Sequence, residues 1–428
     1  MPKTSDDDAA QGLVRKAVAQ ELSSGAPPPG DEDDLMEKGF IDSMGWVGIL
    51  SAIEEATGIR NFGNPWPQGC PQSIRALVEM ARGGARQHVS ERSSEGSSGE
   101  IGGGATVRIL GWGDSLGSMT VQAESVEVEC GLTSGTIRNG AGIEAVCRAG
   151  DGEDELTLAQ RAAGTVLDMA GAEAEEIDCL VATSATFLQF PSLAAALHSR
   201  LLLRESCAAL DVGGACAAVI YAFAVAQGVL VATSRKLALV VASEVHSRRL
   251  ASSSVPAEFR GLFGDAACAF LLGSSEETVN DGPFRIGHTV WGCSGAFSSS
   301  LRLRLNERGE AVVDFNGKQL ASAAITQLDR VLQELEIRSG KSRSAADYFA
   351  LHQPNPRVVE ILAQRCALPL AKIPMVSRTC GNLGSVTLGA SLCQALTDFS
   401  KTPQSPPRPI VFLAAVAPGL TWGGSFLH

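Results

Sequence analysis

Three short segments place side chains suited to acyl chemistry where a folded chain can present them. In DVGGACAAVIYAF, Gly213 and Gly214 permit a tight strand-to-helix turn, and Cys216 falls at the first turn of a long apolar helix. The helix dipole there favours the thiolate, which predicts a nucleophile. In FALHQPNPRVVEIL, His352 stands where an apolar strand gives way to a loop and a new helix, so its imidazole can face a cleft at the strand end. Asn382, in TCGNLGS, adds a carboxamide, although an Asn so close to Gly is by itself a turn residue. The other ten of the eleven cysteines read as small buried apolar side chains.

Such side chains need a large scaffold. At 428 residues, with 45% hydrophobic and 19% charged, the chain has the composition of a globular protein of two or three structural units. A net charge of -12 excludes a broad surface for nucleic acid or an anionic membrane, which requires clustered Lys and Arg. The start, MPKTSDDDAAQG, carries no apolar signal segment, and eleven cysteines without CxxC pairs read as reduced thiols, so a cytoplasmic protein without a metal site is expected. The apolar run from Cys216 to Thr233 approaches bilayer-spanning length, but it contains Gln227 and Gly228 and follows a Gly-Gly turn. A central helix of a large α/β protein is expected there, with no membrane insertion.

Composition divides the chain into three zones. Residues 1–82 are acidic and helical in pattern, with stripes Leu13, Val14, Ala17, Val18; Trp46, Ile49, Leu50, Ile53; and Ile74, Leu77, Val78, Ala81. SSGAPPPG between the first two is a loop, giving a small helical bundle. Residues 83–105 form a Gly/Ser-rich tether with a mean reach of about 26 Å. From 106 to 428 short apolar strands (DCLVATS, AALDV, LALVVAS, ACAFLLG, DYFALHQ, PIVFLAAV) alternate with helices such as TLAQRAAGTVLDMAG and AAITQLDRVLQELE, the pattern of layered sheets with helical cover. A turn, an apolar helix and an apolar strand occur at DVGGACAAVIYAFAVAQGVL with LALVVAS and again at TCGNLGSVTLGASLCQAL with PIVFLAAV, which predicts two related halves, about 106–280 and 281–428.

Ser43 follows Asp42 at the start of an amphipathic helix, in GFIDSMGWVGILSAIEEATGI, behind a loop containing Asp33, Asp34 and Glu37. Alone, an Asp-Ser pair there is an N-cap. With its flanks, residues 12–82 resemble the acyl carrier protein family, whose D-S-L/M motif marks the serine that receives 4'-phosphopantetheine. The resemblance implies a small all-α four-helix carrier domain, Ser43 as the attachment point, and a phosphopantetheinyl transferase as a partner. Glu54 and Glu55 would face basic patches on partner enzymes.

From Val107 to His428 the chain resembles the ketosynthase III family of the thiolase fold. FPS at Phe190–Ser192, DVGGACAAVIYAF, FGDAACAFLL after Phe263, NGK at Asn316, HQPN at His352, GN at Gly381 and GLTWG near the C-terminus occur in the family's order. The resemblance implies an α/β fold with a five-layered, duplicated α/β/α/β/α core and a homodimer with the FPS region near its interface. It further implies that Cys216 takes the acyl group while His352 and Asn382 bind the thioester carbonyl of a malonyl-type extender. The expected substrates are acyl and malonyl-type thioesters on a carrier or on coenzyme A, and the expected product is a β-ketoacyl thioester of a polyketide or specialised fatty acid pathway. An amide at 382 cannot act as a base, which favours condensation over plain acyl transfer to an oxygen or nitrogen nucleophile.

Two departures stand out. Where the family has a run of glycines, one giving an N–H to the acyl oxyanion, this chain has Pro418 in VAPGLTWG, and Pro has no N–H. Related plant-type polyketide synthases have Pro-Gly there too, and Gly419 or a rearranged loop would have to compensate. A non-catalytic subunit that docks a carrier is the reading this position keeps open. Secondly, the Trp and Arg that grip the adenine end of coenzyme A are not found in TSGTIRNGAGIEAV, where Thr136 and Gly140 fall at the corresponding places. A carrier-bound donor is expected, with Arg357 left for carrier docking.

Overall fold

The structure is a computed structural model that describes residues 5–22, 28–35, 41, 46, 48–50, 52–53, 56, 73–83, 106–275, 284–309, 311–315, 317–401 and 408–428. The chain forms two compact units, Met1–Gly102 with Phe315–Thr326, and Gly103–Asp314 with Gln327–His428.

In the first unit, helices α1 (Ser5–Glu21) and α2 (Ile74–Gly83) flank helical residues between 46 and 56. The three apolar stripes meet in one core of Val14, Ala17, Val18, Trp46, Ile49, Leu50, Ile53, Ile74, Leu77 and Val78, joined by Leu35 and Ile41. Ala81 packs at its margin, and Leu13 is half-buried. The acidic loop is partly neutralised from within, because Arg15 pairs with Asp31 and Arg75 with Glu32, each at 2.6 Å. Ser43 lies outside the described residues, as do Asp42, Glu37, Glu54, Glu55 and residues 84–105 of the tether.

The second unit contains β1 (Thr106–Leu116), β2 (Met119–Gln122), β3 (Ala145–Arg148), β4 (Cys179–Thr183), β5 (Ala208–Asp211), β6 (Leu237–Val245) and β7 (Asp265–Ser275). Then follow β8 (Phe284–Phe297), β9 (Leu301–Leu305), β10 (Ala311–Phe315), β11 (Tyr348–Leu351), β12 (Val411–Ala417) and β13 (Gly419–Leu427). The helices used below are α3 (Ala123–Cys130), α4 (Glu155–Ala170), α5 (Leu193–Arg200), α6 (Ala218–Thr233), α7 (Gly317–Ser339), α8 (Pro356–Arg365) and α9 (Val386–Lys401). Each strand run expected from the sequence forms a strand.

Among the described residues nine strands form one mixed sheet in the order β11-β12-β13-β8-β1-β7-β6-β4-β5. The same four-strand pattern occurs twice. β4 and β6 run parallel, and β7 and β1 follow antiparallel; β11 and β12 run parallel, and β13 and β8 follow antiparallel. Among the described residues the two sets pair where Arg108 and Ile109 of β1 meet Arg285 and Phe284 of β8. Chain order repeats as well as strand order, which is why the turn, helix and strand pattern occurs twice in the sequence.

Helices α6 and α9 each pack against strands of both sets and therefore lie between them. The opposite face of the first set is covered by α4 and α5, and Gly424 of β13 leaves room for Val331 and Leu335 of α7 on the second. Ala215–Thr233 has a mean hydropathy of 2.1, enough by length and composition to cross a bilayer. Packed on two sets of strands, with Ala218–Ile220, Ala222, Phe223, Ala226 and Leu230 buried, it is a core helix.

Of the nine other described cysteines, seven are buried as expected, whereas Cys130 is half-buried and Cys293 is exposed on β8. One buried thiol sets a packing limit. A Cβ added at Gly389 of α9 would lie 2.2 Å from the Sγ of Cys268 on β7. Gly389→Ala is therefore expected to destabilise the protein by about 1–3 kcal/mol in urea unfolding, and adding Cys268→Ala should recover most of the loss.

Candidate active site

The first set of strands delivers the thiol. After β5 the chain turns through Gly213 and Gly214 into a 3-10 turn, Ala215–Ala217, that runs directly into α6. A Cβ at Gly214 would lie 3.0 Å from both the Ala218 Cα and the Tyr221 ring, so a side chain would push the turn off the helix. Ala215 adopts φ 47°, a left-handed conformation that costs an L-residue roughly 1–2 kcal/mol, and this strained residue presents Cys216. The Thr421 hydroxyl donates to the Gly214 carbonyl at 3.4 Å, placing the β12–β13 hairpin, with Pro418 at its tip, beside the nucleophile turn.

The second set delivers the other two groups. His352 follows β11, and its backbone N–H donates to Ala414 of β12 at 3.1 Å. Its neighbours explain the HQPN segment. The buried Gln353 amide donates to Pro374 and Ser391 and accepts from the Ser377 N–H, while Asn355 caps α8 by accepting from the Val358 N–H at 2.8 Å, with Pro356 in the first turn. Asn382 is held by its backbone, whose N–H donates to Leu262 at 2.8 Å and whose carbonyl accepts from Gly264 at 3.0 Å. Its side-chain oxygen accepts from the Gly384 N–H at 2.9 Å and from the Thr387 hydroxyl at 3.4 Å. With the oxygen so occupied, the Nδ2 amide is the end left to donate outward, an orientation assigned from this network.

A further group was not singled out in the sequence. Glu244, near the end of β6, is 0% exposed and accepts from the Ala185 and Thr186 N–H groups, from the Ser184 hydroxyl, and from the Ser385 hydroxyl at 2.6 Å. Ser385 stands three residues after Asn382, so one carboxylate bonds to elements of both strand sets. The signal in the sequence was a Glu directly after the apolar run LALVVAS, since a carboxylate in a strand buried on both faces requires several donors. Beyond it, His246 is also buried, with Nδ1 3.3 Å from the Gly264 carbonyl.

These contacts set the electrostatics. The helix terminus was expected to favour a Cys216 thiolate; the structure corrects this. Although the residue is only half-buried, desolvation of the thiol, reinforced by the Glu244 charge and weakly opposed by the Cys216 amide, pushes its pKa up to about 12. Desolvation likewise lowers His352 to about 4, against the backbone of Gly384 and with a further lowering from His246. Among the described residues its Nδ1 is buried without a hydrogen-bond partner. Both residues are thus neutral at pH 7.

Gly384 and Ser385 link the groups. The Gly384 backbone acts on His352 and donates to Asn382, and Glu244, whose charge reaches Cys216, binds Ser385. Arg357 stands apart on the exposed start of α8, 3.7 Å from Glu360, which also faces Arg378. The start of α8 abuts the segment containing Thr136 and Gly140, since a Cβ at Gly142 would lie 3.1 Å from Pro356. Asn316 lies outside the described residues, and among the described residues no cluster of His, Cys, Asp or Glu is arranged to hold a metal.

A cysteine at a helix entry in one half, a histidine and an asparagine in the other, and a doubled mixed sheet are the arrangement of the thiolase fold. Known proteins agree. Residues 141–338 match the FAE1/type III polyketide synthase-like family model, and residues 337–428 match the 3-oxoacyl-(acyl-carrier-protein) synthase III C-terminal model. The β-ketoacyl-(acyl-carrier-protein) synthase III of Thioalkalivibrio sulfidiphilus is 30% identical over 330 residues, covering 75% of this chain and 98% of that protein. The crystal structure of 3-oxoacyl-(acyl-carrier-protein) synthase III from Aquifex aeolicus superposes with a TM-score of 0.66 at 24% identity, covering 75% of this chain and 99% of that one. A priming β-ketosynthase from a polyketide biosynthetic pathway gives 0.66 at 23%, covering 75% and 96%. The chain belongs to the β-ketoacyl-(acyl-carrier-protein) synthase III family of acyl-transferring enzymes.

With a pKa of about 12, the thiolate fraction of Cys216 grows tenfold per pH unit throughout the accessible range. Its rate of alkylation by iodoacetamide, followed by mass spectrometry, is expected to rise without a plateau from pH 7 to about 10. Levelling off near pH 8 would restore the thiolate that the sequence led us to expect.

Proposed function

We propose that this chain carries out decarboxylative condensation, with Cys216, His352 and Asn382 as its catalytic residues. The observation that carries the reading is the Asn382 carboxamide, fixed by its oxygen so that it donates outward, in the same turn that acts on a neutral His352. Two neutral donors suit an oxygen that gains negative charge, and neither is a carboxylate base.

In the first step the Cys216 sulfur bonds to the carbonyl carbon of an acyl thioester as the donor's C–S bond breaks, and the thiol proton leaves with the departing thiol. A malonyl-type thioester then loses carbon dioxide. The electron pair of the broken C–C bond becomes an enolate, whose oxygen takes hydrogen bonds from His352 and Asn382. The enolate carbon attacks acyl-Cys216, expelling its sulfur as a thiolate that takes up a proton from water, and leaving a β-ketoacyl thioester on the carrier. Pro418 supplies no N–H for the acyl oxyanion, and the Cys216 amide is the donor at that carbon.

The resemblance of residues 12–82 to carrier proteins supports 4'-phosphopantetheine on Ser43, attached by a phosphopantetheinyl transferase. A tethered thioester reaches an effective concentration of about millimolar, so weak docking at Arg357 would be sufficient and no firm grip on coenzyme A is required. A cytoplasmic polyketide or specialised fatty acid pathway is the setting this reading favours. Homodimerisation is supported by β5, the terminal strand of the sheet, whose Ala208 and Ala209 are exposed, and by the outward Leu188 and fully exposed Phe190. Sedimentation should give a dimer for the purified chain and a shift toward monomer for Phe190→Asp.

The decisive measurement weighs the carrier arm of the phosphopantetheinylated full-length protein after incubation with acyl and malonyl thioesters. Condensation lengthens the acyl group by two carbons with release of carbon dioxide; simple transfer of an unextended acyl group would refute it. Cys216→Ala is expected to abolish acyl loading. His352→Ala and Asn382→Ala should load normally but condense about 10²–10³-fold more slowly. Because His352 stays neutral down to about pH 4, condensation by the wild type should show no loss from its titration near pH 6.5.

A further inference from the structure

We infer that Glu244 and His246, at the end of β6, are positioning residues for Asn382, acting from beneath the Gly381–Ser385 turn to govern decarboxylation. The inference rests on the condensation reading and deepens it.

Each residue grips a different part of the turn. Glu244 has both oxygens engaged, Oε1 by the Ala185 N–H and the Ser385 hydroxyl, Oε2 by the Ala185 and Thr186 N–H groups and the Ser184 hydroxyl. The Thr186 hydroxyl in turn accepts from the Val245 N–H at 2.9 Å, so the 184–186 loop and the end of β6 hold each other. Against this rigid base, Ser385 is the residue tied across to the other strand set, at 2.6 Å.

His246 works on both neighbours of Asn382. Its ring packs on Phe263 with centroids 4.7 Å apart, and its Nδ1 lies 3.3 Å from the Gly264 carbonyl. Phe263 bridges to Asn382, whose backbone bonds on either side to Leu262 and Gly264. From below, the imidazole edge presses on Gly384, where a Cβ would stand 2.5 Å from Cε1 and 2.8 Å from Nε2. Gly384 has φ 60°, and its N–H holds the Asn382 oxygen. Conformation and contact thus both demand glycine there, and the residue that orients the carboxamide is clamped between His246 and Ser385.

A carboxamide oriented this way would lose aim through small rotations of the turn, whereas Cys216, on its own 3-10 turn, would not move. The two half-reactions therefore separate the effects. In single-turnover assays of the full-length protein, Ser385→Ala and His246→Leu are expected to load acyl groups onto Cys216 at close to the wild-type rate. Malonyl-thioester decarboxylation by the acylated enzyme should fall by about tenfold or more in kcat with KM little changed, and Ser385→Thr, which keeps the hydroxyl, should recover most of it. Thermal melts identify a variant that fails to fold, and Ser385→Ala, which removes one exchangeable contact, carries the test if His246→Leu does so. Wild-type decarboxylation in folded Ser385→Ala, or equal loss in both half-reactions, overturns the inference. Failure of the wild-type chain itself to decarboxylate overturns the condensation reading instead, and the two results are read from different samples.

Discussion

The site depends on two helices held between two sets of strands arranged alike. Because α6 and α9 each pack on both sets, the turn that opens α6, with Cys216, packs against α9, whose own opening turn carries Asn382. Pairing registers extend the equivalence. Thr183 of β4 pairs with Ala242 of β6 as Leu351 of β11 pairs with Ala414 of β12, so Ser184 is the counterpart of His352, Glu244 of Val416 and His246 of Pro418. One scaffold position thus serves as framework in one half and as chemistry in the other. On the condensation reading, the first half would supply the nucleophile and the second the donors, with the Glu244–Ser385 bond tying the halves together.

Burial, more than the helix dipole, decides the charge state. A helix terminus offers a thiolate about 0.3–1 kcal/mol in exposed settings, rising to about 2 kcal/mol when partly buried, whereas each pKa unit of upward shift corresponds to about 1.36 kcal/mol. With the thiol pushed to about 12 and the imidazole to about 4, desolvation and the Glu244 field clearly prevail. Cys216 and His352 are consequently uncharged at rest. A neutral donor pair and a neutral thiol suit a mechanism in which the negative charge of a malonyl carboxylate passes to the enolate oxygen.

Much of this could be read along the chain. Short apolar runs between amphipathic helices gave the strands, the repeated turn and helix gave the doubled sheet, and the Gly-Gly and Gly-Asn segments marked the two turns, because those features are local. Glu244, His246 and Ser385 escaped notice because their roles exist only across the two strand sets; in sequence they are separated by about 140 residues of intervening fold. The thiolate expectation failed for the same reason. Dipole position is a local property, while desolvation at Cys216 and the charge of Glu244 belong to the folded surroundings. Ser43 depends on a short motif and its helical flanks, and of these only the apolar stripes are described.

An enzyme that waits for deliveries must survive the waiting. Peroxides and electrophilic metabolites attack sulfur chiefly in its ionised form, so a cysteine that stays protonated at rest offers them very little. On the condensation reading, a thiol kept protonated at rest would be spared chance electrophiles and would react chiefly when a thioester is seated beside it.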